Sequence, residues 1–135
     1  MTPARRTVAE LLAAARERIS RHSPADTALA QARGALLVDT RSQDDLRAHG
    51  TPVGALHLPL SVLPWRADLS CPWHDPVLAA DRGREVILIC AHGFSSSLAA
   101  AQLTELGFVR AGDVEGGFEA WAAAGLPIEA PMLSP

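Results

Sequence analysis

Glu85-Val86-Ile87-Leu88-Ile89-Cys90-Ala91-His92-Gly93-Phe94-Ser95-Ser96-Ser97 is the stretch that decides the fold. Positions 86–90 form an unbroken apolar run rich in β-branched side chains. That is the pattern of a central strand covered on both faces; a half-exposed strand would alternate. A short Gly/Ser loop follows. Residues 98–106 then read as a helix that Gly107 closes. The segment 86–104 has no charged residue, yet His92, Gly93, three serines and Gln102 lie within it. It therefore reads as strand, loop and helix in succession, not as a bilayer span.

Outward from this centre the same alternation repeats. Upstream, Ala35-Leu36-Leu37-Val38-Asp39 is a second continuous apolar run, and 55–58 is a brief strand stopped by Pro59. Downstream, 108–114 contains a final strand, and Glu115-Gly116-Gly117 turns into a helix over 118–124 ended by Gly125. Periodicity predicts a helix over 8–21, with Val8, Leu11, Leu12, Ala15 and Ile19 on one stripe. A second is predicted from Pro24 to about 33, capped by Ser23 and closed by Gly34. A third spans 44–49, with Ser42 as its N-cap. Residues 60–82 are Pro-rich and read as a long connection with one helical turn near 77–80. Strands alternating with helices imply an α/β sandwich around a mainly parallel sheet.

The chain has 135 residues, of which 48% are hydrophobic and 20% charged. That suits one folded domain and excludes a disordered chain. The formal net charge of −3 gives no basic face for nucleic acid. All 12 basic residues are arginine, which rules out Schiff-base or lysine-base chemistry. Two cysteines, Cys71 and Cys90, cannot staple a secreted scaffold, so a reducing, cytoplasmic setting is expected. The N-terminal apolar stretch is interrupted by Glu10 and closed by Arg16-Glu17-Arg18, a poor signal peptide. No membrane partner is expected.

Cys90 ends the predicted central strand, at the sheet edge where open α/β folds bind ligands. The loop after it can turn several N–H groups inward at the positive end of a helix. Gly93 supplies the backbone freedom for that curl, and Ser95, Ser96 or Ser97 can cap the helix and also donate O–H bonds into the loop. A thiol placed there ionises more readily, and the same N–H groups would hold an anionic sulfur added to it. The alternative is a buried, inert core cysteine.

Cys90-Ala91-His92-Gly93-Phe94-Ser95-Ser96 resembles the active-site loop of rhodanese-like sulfurtransferase domains. Four further segments follow in family order. Leu37-Val38-Asp39-Thr40-Arg41 resembles the early strand ending in Asp-x-Arg. Gly50-Thr51-Pro52-Val53-Gly54-Ala55 resembles the family's next turn. Glu115-Gly116-Gly117-Phe118-Glu119-Ala120-Trp121 resembles its Gly-Gly-x-x-x-Trp turn and helix, and Ala124-Gly125-Leu126-Pro127-Ile128 its ending. The resemblance implies a rhodanese-like three-layer sandwich with a five-stranded, mainly parallel sheet flanked by helices. It implies one domain over 1–135, with a core at about 36–128 and N-terminal helices at about 8–33. The activity implied is that of a thiosulfate sulfurtransferase. Cys90 takes sulfane sulfur from a donor such as thiosulfate or a persulfide and passes it to cyanide or a thiol. Ala91 to Ser96 would cradle the persulfide. No cofactor or metal is implied.

Several residues depart from the pattern or allow plainer readings. The loop has no Arg or Lys, where many family loops carry one, so a thiosulfate dianion would need an arginine from elsewhere. Arg66, in the long connection, is the candidate. His92 is the loop's only titratable neighbour of Cys90. Asp39 and Arg41 could order the site but more simply fix a turn. Cys71 could resolve a persulfide into a disulfide, or lie there by chance. Cys71, His74 and Asp75 are too few for a zinc site. His57 and Trp121 read as core residues. A cysteine phosphatase would want arginine six residues after the cysteine, where this chain has Ser96. A non-catalytic rhodanese-like binding or sulfur-sensing module is the alternative to an enzyme.

Overall fold

The computed structural model describes residues 4–130; the ends of the expected 1–135 domain, 1–3 and 131–135, lie outside the described residues. The five-stranded sheet has the spatial order β1-β6-β5-β2-β4, and every pairing in it is parallel. Its strands are β1 (Ser20–His22), β2 (Leu36–Asp39), β4 (Leu56–His57), β5 (Val86–Ile89) and β6 (Ala111–Val114). All four residues of β5 are buried, as are all four of β2. Period-two geometry divides their side chains between two cores. Leu36, Val38, Val86 and Leu88 face one cluster with Leu103 and Phe108. Leu37, Ile87 and Ile89 face the other with Trp121. The continuous apolar runs are thus explained, because neither face of the central strands meets water.

Helices cover both faces. α1 (Val8–Glu17) packs on α6 (Ser95–Glu105), which covers β5 and β6. α2 (Pro24–Ala32) packs on α7 (Gly117–Ala123) from the other side. The predicted caps of two helices form. Ser23 accepts from the Asp26 N–H at 3.1 Å, and Ser42 accepts from the Asp45 N–H at 3.1 Å to start α3 (Gln43–His49). Among the described residues, no helix is long and apolar enough to cross a membrane.

Several sequence expectations need correction. The first helix stops at Glu17, not residue 21. The next residues form edge strand β1, in register Ser20↔Gly112, Arg21↔Asp113 and His22↔Val114 with β6. A pairing partner some ninety residues away overrides the local helical pattern. α6 begins at Ser95, three residues ahead of the expected start at 98. Its N-cap position is Phe94, with no side-chain cap bond, so the serines do not cap it; Ser96 and Ser97 are buried within it. The connection 60–82 holds two short helices, α4 (Leu63–Ala67) and α5 (Pro76–Ala79), where one turn was expected. A small antiparallel pair, β3 (Thr51–Pro52) with β7 (Ile128–Glu129), was not anticipated.

Candidate active site

Cys90 is the first residue beyond β5, at the carboxyl edge of the sheet. It is 5% exposed, so the thiol sits at the floor of the loop. Gly93 takes a φ of +84°, a conformation that side-chain-bearing residues rarely adopt. This turns its N–H back onto the Cys90 Sγ at 3.1 Å. A Cβ at Gly93 would lie 2.7 Å from the Gly116 nitrogen, so space as well as dihedral requires glycine. Ser96 Oγ lies 3.2 Å from the same sulfur. Burial of the thiol opposes its ionisation. Hydrogen bonds from the Ser96 and Ser95 side chains, and from the Ser96 and Gly93 backbones, outweigh burial and hold its pKa below the ordinary value.

The rear of the loop is gripped by α7. The Phe118 N–H donates to the Cys90 carbonyl at 2.7 Å and the Glu119 N–H to the Ala91 carbonyl at 3.1 Å. This approach needs Gly117, because a Cβ there would collide with the Cys90 carbonyl oxygen. The Gly-Gly turn is therefore a close-packing device. His92 and Phe94 point outward, and His92 Nε2 lies 3.2 Å from an exposed Glu119 carboxylate. Beside the loop, Ala91 and His92 line a groove of about 400 Å³ together with Arg41, His49 and Phe118.

A layer that sequence reasoning missed lies beneath the loop. Asp113 on β6 is fully buried. Its Oδ2 accepts from Ser96 Oγ at 2.8 Å and Ser97 Oγ at 2.7 Å, and its Oδ1 accepts from Arg21 Nε at 2.9 Å. Arg21 Nη2 also donates to the Gly93 carbonyl at 3.0 Å, and Arg16 Nη2 to the same oxygen at 2.9 Å. Arg16 Nε reaches Ser97 Oγ at 3.1 Å, and its guanidinium lies 5.8 Å from the Phe94 ring centre. Two cations thus hold the carbonyl of Gly93, whose own N–H faces the sulfur. An acid in the middle of an apolar final strand was the available signal, since a buried charge demands partners. No local pattern marked Arg16 or Arg21.

The other expected site residues sort as follows. Asp39 and Arg41 form a buried pair, with Arg41 Nη2 2.8 Å from Asp39 Oδ2 and 2.8 Å from the Gly50 carbonyl. The Arg41 guanidinium stacks 3.7 Å above the Phe118 ring centre. This favours the turn-fixing reading, although Phe118 links the pair to the helix that grips the loop. Arg66 lies on α4, in the long connection. Its donors go to the Trp73 carbonyl at 2.6 Å and toward Asp75 at 3.5 Å, within its own connection. Cys71 lies in that connection too, half-buried, and His74 Nδ1 faces its carbonyl oxygen at 2.7 Å. Asp75 caps α5. His57 Nε2 meets the Arg41 carbonyl at 2.7 Å, and Trp121 is buried.

The pattern of the rhodanese-like domain matches residues 23–124. The chain belongs to that family. A sulfurtransferase of Allochromatium vinosum is 35% identical over 103 residues, which span 76% of this chain and 86% of the relative. The thiosulfate sulfurtransferase GlpE of Vibrio cholerae is 49% identical over 51 residues, covering 38% of this chain and only about half, 48%, of that relative. Among solved structures, a Rhodopseudomonas palustris protein of unknown function, described as a possible tyrosine phosphatase, aligns with a TM-score of 0.85 at 27% identity. That alignment covers 96% of this chain and 98% of that one. The family match begins at residue 23, so Arg16 and Arg21, which brace this rhodanese-like loop, lie ahead of it.

Proposed function

We propose that this rhodanese-like protein moves sulfane sulfur through a persulfide on Cys90. The observation that carries the reading is the thiol under the Gly93 amide and the Ser96 hydroxyl, held below its ordinary pKa. The thiolate attacks the outer sulfur of a donor such as thiosulfate. The S–S bond breaks and sulfite leaves with the electron pair. Cyanide or a thiolate acceptor then attacks the outer sulfur of the persulfide, and the bond electrons return to Cys90. The inward amide suits the extra anionic sulfur as it suits the bare one. Arg16 and Arg21, the latter paired with Asp113, leave one net positive charge behind the loop toward an anionic donor. The sulfurtransferase names of the relatives support the same class. A phosphatase reading finds no support at position 96, where a serine hydroxyl bonded to a buried carboxylate occupies the place of a phosphate-clamping arginine.

Thiosulfate treatment is expected to add the mass of one sulfur to Cys90, and Cys90→Ser is expected to form no thiocyanate. Equal thiocyanate rates in the two proteins would exclude the nucleophile. Absence of labelling with thiosulfate, polysulfide and persulfide donors would favour the binding module. The thiol also gives a pH dependence. Its folded pKa lies below the unfolded value of 9.0, so ionisation favours the fold. That stabilisation is full above about pH 9 and fades as pH falls through the folded pKa. Alkylation by iodoacetamide is correspondingly expected to persist below the ordinary thiol range; a midpoint at or above the ordinary value would contradict the cradle.

A further inference from the structure

Ser96 has one hydroxyl proton and two neighbours that compete for it. Asp113 Oδ2 lies 2.8 Å from its oxygen and Cys90 Sγ 3.2 Å away. While the sulfur is a thiol, Ser96 donates to Asp113 and accepts from the S–H. When the sulfur is an anion, that S–H is gone and the Ser96 proton is needed on the sulfur. Asp113 can release it without being left unpaired, because Ser97 Oγ at 2.7 Å and Arg21 Nε at 2.9 Å still donate to it. The geometry points to Asp113 as a positioning residue that governs Cys90 through Ser96. It holds the Ser96 proton while the sulfur is protonated or carries a second sulfur, and gives it up while the sulfur is an anion. The part concerning the loaded state rests on the sulfur-transfer reading above. In that step an acceptor thiolate attacks the outer sulfur. The S–S bond breaks, its electron pair goes to Cys90, and the Ser96 O–H turns its hydrogen bond from Asp113 to the new anion, its proton staying on the serine oxygen.

The charged surroundings favour this assignment. β1 presents Arg21 and α1 presents Arg16, and both are directed at the loop carbonyl and its serines. On β2, next to β5, Asp39 is closed on Arg41. On α7, Glu119 faces the exposed His92. Asp113 is therefore the carboxylate bonded directly to a side chain that touches the sulfur.

The test reads the bare thiol by the pH profile of iodoacetamide alkylation. Asp113→Asn keeps the shape, removes the negative charge and offers an N–H₂ to the serines, which frees the Ser96 proton for sulfur. Its alkylation midpoint is expected to fall by about one unit, about a tenfold faster reaction well below the midpoint. In a Ser96→Ala background the same change is expected to shift the midpoint by less than half as much. Ser97→Ala, which leaves Ser96 the sole hydroxyl donor to Oδ2, is expected to raise the midpoint. This second variant reads the proposal even where Asp113→Asn does not fold. An unchanged or raised midpoint in folded Asp113→Asn, an equal shift with and without Ser96, or an unchanged or lowered midpoint in Ser97→Ala would overturn the assignment. Failure of sulfur loading on Cys90 would leave these profiles intact and count only against the transfer chemistry.

Discussion

Two acid–arginine pairs with buried carboxylates flank the strand that leads to Cys90, one acid on each neighbouring strand. Asp39 on β2 binds Arg41 two residues away, through Nε and Nη2. Asp113 on β6 binds Arg21, 92 positions earlier in the chain. The ingredients match and the uses differ. Arg41 Nη2 also donates to the Gly50 carbonyl and its face lies on Phe118, so the β2 pair spends its hydrogen bonds on its own turn, although Arg41 borders the groove beside the loop. Asp113 and Arg21 keep their remaining capacity for Ser96, Ser97 and the Gly93 carbonyl, all parts of the cysteine loop. The first pair braces its own turn; the second shares its hydrogen bonds with the cysteine loop and braces that loop.

The largest effect expected is at the closed pair. Arg41→Ala strands a fully buried Asp39 and is expected to cost about 3–5 kcal/mol in urea unfolding. A loss below about 1 kcal/mol would mean that the β2 pair is not structural. Arg21→Ala is expected to cost less, about 1–3 kcal/mol, because the serines still satisfy Asp113. It should also slow Cys90 alkylation at fixed pH, since the Gly93 carbonyl loses one of its two cations. Arg41→Ala is expected to change that rate little per folded molecule. Equal rate effects from the two arginines would erase the distinction. Smallest is the exposed pair beside the site: Glu119→Gln is expected to alter stability by no more than about 0.5 kcal/mol. A larger loss would show that the His92–Glu119 contact braces the loop.

The same contrast explains what could be read from the sequence. The Asp-x-Arg pair is local, and its turn chemistry was visible as three letters. The Cys90 loop was visible because strand, glycine and helix start are consecutive. β2 and β5 were visible because double-sided burial writes an unbroken apolar run. β1 was not, because a three-residue edge strand gains its stability from β6 and has no period of its own. Read as a helix tail, Arg21 gives no sign of the loop that it reaches from β1. The serines read as caps and as O–H donors to the loop; only the capping fails, because α6 starts at Ser95 and takes them into its first turn. Asp113, which could have redirected the reading, lay across the sheet.

The pairing of Ser20–His22 along β6 has a practical side. Trimming the chain to the residues that match the family pattern, 23–124, would bare the hydrogen-bonding rim of β6. An uncovered rim of this kind invites strand addition from other molecules. The leading segment thus occupies that rim of β6 and also supplies the two loop arginines.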